Sequence, residues 1–139
     1  MRVVLDSEGL NALIQSGHPG HQAIRRAMAA ARRLRRDVVV PTVILAELYR
    51  GAGRNRALDA LLARESDALL LRDTDRGLAR LVGAVLAEAG VGSEYLADAH
   101  AVAAAVEDGG GVVLTGDPDD LSRLAAPYRT VVIESLADK

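Results

Sequence analysis

A chain of 139 residues suits one domain and is long enough to bury roughly two thirds of its extended-chain surface. It has no cysteine, which excludes disulfides, zinc–thiolate sites and thiol nucleophiles, and no apolar run approaches the ~18 residues of a membrane span. The net charge is only −2, yet every one of the 17 basic residues but Lys139 is Arg, and most of those arginines lie before residue 81.

Apolar runs of strand length alternate with longer segments of helical period, which predicts βα units and a mainly parallel sheet of about five strands flanked by helices, an α/β fold. The first strand is expected over Arg2 to Leu5, ending on Asp6, with a helix over Glu8 to Gln15. "GHPGH" carries His18 and His21 on a Gly/Pro turn with no third ligand nearby, and reads as a loop rather than a metal site. A helix over His21 to Arg36 precedes a strand at Val38 to Val40. Pro41 closes that strand or opens the next helix, with Thr42 as a possible cap. The helix from Thr42 to Arg50 carries Glu47, about one and a half turns past the strand.

A helix over Arg56 to Ala63, a strand at Ala68 to Leu71 and a helix over Asp75 to Ala89 follow. On the last of these, Leu78, Leu81, Val82, Val85, Leu86 and Ala89 form a stripe that reads first as core and second as a dimer or partner surface. The segment "LADAHAVAAAV" predicts a helix over Tyr95 to Asp108 with little side chain on any face, able to lie close to a sheet. Asp98 falls near its start, where the helix dipole favours a carboxylate. His100, two residues on, points roughly 200° away and cannot share one site with Asp98. "GGG" at 109–111 is a helix stop. Then come a strand at Gly111 to Leu114, the turn "TGDPDDL", a helix over about Asp119 to Ala125 and a strand at Thr130 to Ile133. No linker or repeat interrupts residues 1–139, which are read as a single domain.

In a parallel α/β sheet, residues at the carboxyl ends of strands converge on one crevice, where ligands bind. Asp6 ends the first strand, Asp117 follows the fourth by a short turn, Glu47 can reach back to the same edge, and Asp98 opens the helix leading into the fourth strand. Each alone suits a helix cap, a dipole partner or a solvated position. Together, with no Lys near any of them in sequence, they would repel strongly unless a cation sat between them. Hard oxygen donors select Mg²⁺ or Mn²⁺.

The ordered set Asp6 in "VVLDS", Glu47 in "LAELYRG", Asp98 in "LADAHAVAAA" and Asp117 in "LTGDPDDL" resembles the PIN-domain ribonucleases, and the chain's size resembles the VapC-type toxins of toxin–antitoxin pairs. The resemblance spans nearly the whole chain. It implies a single PIN-like domain and a metal-dependent endoribonuclease that hydrolyses RNA phosphodiester bonds, often dimeric and held silent by a cognate antitoxin. It further implies that Asp6, Glu47, Asp98 and Asp117 form the acidic site. Within it Asp6, Asp98 and Asp117 are the expected ligands of Mg²⁺ or Mn²⁺, and Glu47 the residue that orients or deprotonates the attacking water. Ser7 and Thr115 match supporting hydroxyl positions, with Asp120 a further support. Glu8 departs from the pattern, standing where an uncharged residue is more usual, and Leu121 replaces a common aromatic.

The arginines at 25, 26, 32, 33, 35 and 36, at 50, 54 and 56, and at 72, 76 and 80 suit a polyanion partner. With only Tyr49, Tyr95 and Tyr128 as aromatics, stacking of bases on rings is a poor way for this chain to hold RNA. The acid at position 6 breaks the apolar core a signal peptide would need, so the expected location is cytoplasmic, with no membrane. The rival from another class is a catalytically silent PIN-like module that binds RNA or protein. A receiver domain would need a strand-end Lys, a haloacid-dehalogenase-like phosphatase a second Asp two residues after Asp6, and a dinucleotide fold a glycine pattern after the first strand.

Overall fold

The computed structural model describes residues 1–136. Residues 137–139, which include Lys139 and close the expected 1–139 domain, lie outside the described residues. Five strands form one parallel sheet: β1 (Arg2–Leu5), β2 (Val38–Pro41), β3 (Leu69–Arg72), β4 (Gly111–Thr115) and β5 (Val131–Ser135). Their spatial order is β3-β2-β1-β4-β5, so the chain starts at the centre, builds outward to β3 and then crosses to the other side. Seven α-helices make the connections: α1 (Ser7–Ile14), α2 (His21–Arg33), α3 (Thr42–Leu48), α4 (Ala52–Arg64), α5 (Arg76–Ala89), α6 (Leu96–Glu107) and α7 (Pro118–Ala125).

β1 is an unbroken apolar run because both of its faces are covered. Val3 and Leu5 join one core with Leu10, Leu13, Ile24, Ile44 and Leu61 from α1 to α4, while Val4 faces a second core. That second core is built from α5, α6 and α7 around Val82, Val102, Val113 and Leu121. The alanines of α6 do what their size allows. Ala99, Ala101, Ala103, Ala104 and Ala105 are wholly buried, which brings the helix axis close to the strands. The stripe on α5 packs into the same core through Leu78, Val82 and Val85.

Several boundaries differ from expectation for identifiable reasons. β2 takes in Pro41 and β3 takes in Arg72, because those two residues pair across the ladder. Thr42 is not a cap: Pro41 occupies that position, and the Thr42 hydroxyl instead meets the Arg72 carbonyl oxygen at 3.5 Å. α4 begins four residues earlier than expected, at Ala52, with Asn55 N–H bonded to the Gly51 carbonyl at 2.8 Å. Gly51 enters that turn at φ 116°, open only to glycine at low cost. α2 stops at Arg33 rather than Arg36. Among the described residues no helix is long and apolar enough to cross a membrane.

Candidate active site

The carboxyl end of β1 delivers Asp6 into the interior, where it is only 5 % exposed. Its backbone is extended and its side chain caps α1, with Oδ1 accepting from Gly9 N–H at 2.8 Å. A side chain at position 9 would press on the Leu114 carbonyl at 3.0 Å, so glycine keeps α1 close to β4. From the end of β4 the buried Thr115 hydroxyl hydrogen-bonds the Asp6 carboxylate and accepts from Asp117 N–H at 2.8 Å. Burial pushes the Asp6 carboxyl up to about 6, against the opposing pull of the Thr115 and Gly9 hydrogen bonds.

Asp98 sits in the first turn of α6, which the alanine packing holds over β1 and β4. Its carboxyl is also pushed up to about 6, first by burial and then by the charges of Asp6, Glu47, Asp120 and Asp117. Asp98 is therefore within electrostatic reach of Asp6, Glu47 and Asp117, the acids with which it was expected to converge, and of Asp120. Glu47 is exposed on α3, and Asp117 is exposed ahead of α7. Asp117 does not cap α7 with its side chain. It shares a hydrogen bond with Asp120, which raises the Asp120 carboxyl above its ordinary value. Ser7 opens α1, partly buried.

Among the described residues none of Asp6, Glu47, Asp98 and Asp117 forms a salt bridge, and Arg123 acts on Asp120 beside them. The donor set is all carboxylate oxygen, which fits a hard divalent cation. Among the described residues no three acids or histidines already form a cage around one ion. That spacing is compatible with Mg²⁺, which retains several waters and takes one or two carboxylates plus substrate phosphate.

One neighbour of the site was not legible as such. His18 Nδ1 accepts from Gly20 N–H at 2.9 Å, which leaves the ring proton on Nε2 to be donated to Glu8 Oε1 at 2.6 Å. Glu8 in turn lies against Gly116, where any Cβ would run into the Glu8 side chain. The His18 turn therefore reaches the rim of the crevice, although the sequence marks it only as a loop. His100 stands apart from the acids: it is 4 % exposed, with Nδ1 donating to the Leu96 carbonyl and Nε2 accepting from the Thr74 hydroxyl, both at 2.8 Å.

The PIN domain family model matches residues 3–127. No curated protein sequence matches the chain. Among solved structures, the chain resembles one in VapBC2 from Rickettsia felis bound to a DNA fragment from their promoter, at 15 % identity over 97 % of this chain and 98 % of that one, with a TM-score of 0.65. A chain of FitAB bound to an IR36 DNA fragment gives 16 % identity over 99 % and 96 %, with a TM-score of 0.64. A chain of DNA-bound VapBC from Salmonella typhimurium gives 21 % identity over 99 % of each and a TM-score of 0.63. At these identities the likeness is one of fold.

Proposed function

The chain belongs to the PIN-domain family, and from that premise we propose that residues 1–139 form one VapC-like domain, the toxin of a toxin–antitoxin pair, acting as a metal-dependent endoribonuclease. The observation that carries this reading is the Asp98 carboxyl, raised first by burial and then by four other carboxylates that come from three different segments of the chain. Crowding of this kind destabilises a protein unless a cation is the intended occupant.

Asp6, Asp98 and Asp117 would hold Mg²⁺ or Mn²⁺, directly or through water. Bound there, the ion supplies Lewis acidity toward the scissile phosphate. Glu47, exposed at the crevice edge, orients or deprotonates the attacking water. Thr115 fixes Asp6 through its hydroxyl and holds the Asp117 backbone, so one buried side chain sets two of the acids. Ser7 and Asp120 support the same edge. The substrate is RNA, and the cell compartment is the cytoplasm. The structural neighbours include VapBC and FitAB assemblies, which supports a cognate antitoxin that sets a basic side chain against the acids, and the toxin itself is expected to be a homodimer.

A second reading, a catalytically silent PIN-like module that binds RNA or protein, draws on the lack of a ready-made three-donor cage among the described residues. Purified protein freed of its partner, incubated with total RNA in Mg²⁺, Mn²⁺ or EDTA, separates the two. Ion-dependent cleavage that EDTA abolishes is the expected result. RNA left intact by folded protein in every condition would establish the silent module instead.

A further inference from the structure

At the other end of the sheet from the acids, a cavity of about 730 Å³ opens between the C-terminal half of α2 and the starts of β2 and β3. β2 separates it from the catalytic edge by four residues, roughly 13 Å of strand. Its floor is apolar, formed by Met28, Ala29, Val38 and Ala68. Arg25 on its wall is already paired with Glu65 at 3.3 Å. Arg32, Arg35 and Arg36 line the same cavity, and their guanidinium groups make no ion pair or hydrogen bond among the described residues. The carboxylates of Asp37 and Asp67, also on the lining, are likewise unpaired.

Arg35 is the one non-glycine residue with positive φ among the described residues, at 56°. It occupies the left-handed position of a helix-ending turn in which Arg36 N–H reaches back to the Ala31 carbonyl at 2.8 Å. α5 ends in the same way, with Val91 N–H on the Leu86 carbonyl at 3.2 Å, and there the left-handed residue is Gly90. Glycine adopts this conformation freely, whereas a side chain makes it costly. The chain thus accepts strain at the mouth of the cavity and gains a guanidinium there, a pattern that marks ligand sites.

We infer that this cavity binds a nucleoside phosphate. Three unpaired guanidinium groups match the phosphate oxygens, the apolar floor takes the base, and Asp37 and Asp67 accept hydrogen bonds from sugar hydroxyls or base amines. A bare inorganic anion would leave the floor empty and face the two carboxylates without donors. A fatty acid would likewise offer those carboxylates nothing. The nucleoside phosphate is either a free nucleotide or one unit of an RNA strand whose other part lies at the acids. The strand version rests on the ribonuclease reading, and the free version does not.

The test is equilibrium binding to the full chain in EDTA, where no ion-dependent cleavage competes. The probes are adenosine 5′-monophosphate, a short 5′-phosphorylated oligoribonucleotide and, as a rival class, polyglutamate. Arg32→Gln with Arg36→Gln should weaken nucleotide binding at least about tenfold. Arg35→Gly should weaken it too, while raising the melting temperature by a few degrees through release of the strained turn. That opposite movement of affinity and stability is what a purely structural arginine would not give. Arginine-dependent binding of the mononucleotide identifies a free ligand. Binding of the oligoribonucleotide alone identifies a strand contact, and either result supports the site. Affinities unchanged by these variants, or polyglutamate bound in place of both nucleotide probes, would overturn it.

Discussion

Asp98 in the first turn of α6 and Glu107 at its last residue stand at opposite ends of one helix dipole. The dipole favours an ionised acid at the N-terminal end and disfavours one at the C-terminal end, by about 0.3–1 kcal/mol. The shifts run the other way: the Asp98 carboxyl is pushed up to about 6, while Glu107 is held below its ordinary value. Partners decide the matter. Glu107 receives a two-pronged grip from Arg72 at 2.8 and 2.9 Å and a third bond from Arg2 at 2.6 Å. Arg72 also holds Asp75, whose carboxyl is lowered first by Leu78 N–H and then by that arginine. Asp98 has only burial and four like charges around it. Two arginines clamp one end of the helix, whereas the arginine recorded near the other end, Arg123, lies over the Tyr95 ring and acts on Asp120, and no salt bridge reaches Asp98 among the described residues.

The sharpest way to break this comparison is to remove single charges at the two ends and read activity. Asp6→Asn and Asp98→Asn keep the side-chain shape and should lower RNA cleavage at least about 100-fold. Expression of either variant without the antitoxin should also relieve growth arrest at equal protein level. Glu107→Gln should leave cleavage near wild type. Full activity in both Asn variants would mean that the crowded end is not the catalytic one.

Stability should separate the ends with opposite signs. Arg72→Ala strips Glu107 of its two-pronged partner and should cost about 1–2 kcal/mol, several degrees of melting temperature, since the pair is partly screened by solvent. Asp98→Asn in EDTA should leave the protein as stable as wild type or about 1 kcal/mol more stable, because a like charge is gone. The same variant should lose most of the stabilisation that Mn²⁺ gives wild type by linkage. A destabilised Asp98→Asn protein, paired with a wild type that ignores Mn²⁺, would make the acid a dipole partner and nothing more.

The two ends were unequally legible in the sequence. Strands of a parallel sheet are continuous apolar runs, so β1 was readable to the residue, and the acids at element ends could be placed in order along one edge. That Asp98 feels Asp6, Glu47, Asp120 and Asp117 is a matter of distance, which spacing only suggests. The clamp was not legible at all, because Arg72 and Glu107 are 35 residues apart and join two elements that no local pattern relates. The Glu8–His18 contact escaped for a similar reason, since a loop's path back over the sheet edge is set by tertiary packing. Missing the start of α4 had a local cause: "AGRN" carries neither an apolar stripe nor a cap, and the helix opens on the φ of Gly51.

The smallest effect is the pH dependence of stability without metal, and its sign follows from the same contrast. Asp6 and Asp98 titrate at about 6 in the folded protein and at the ordinary 3.8 when unfolded. Between those values the folded state binds more protons, so stability falls as pH rises from about 4 to about 6 and then levels off. Glu107 and Asp75 are lowered, so their contribution is present above the unfolded values of 4.5 and 3.8 and is lost as pH falls through the folded ones. Metal-free protein should therefore be most stable in mildly acidic solution, near the crossing of the two trends. Because Asp98 is only partly buried, solvent screening holds its share to the order of 1 kcal/mol or less. Denaturant melts in EDTA at steps of pH would show the decline between about 4 and 6 flattened in Asp98→Asn and, at its acid end, steepened in Glu107→Gln, because the opposing Glu107 contribution is gone. Saturating Mn²⁺ should reverse the decline, since bound cation favours the ionised acids. A slope identical in wild type and Asp98→Asn would show that the acid carries no uncompensated charge, and the contrast between the two ends of α6 would fall with it.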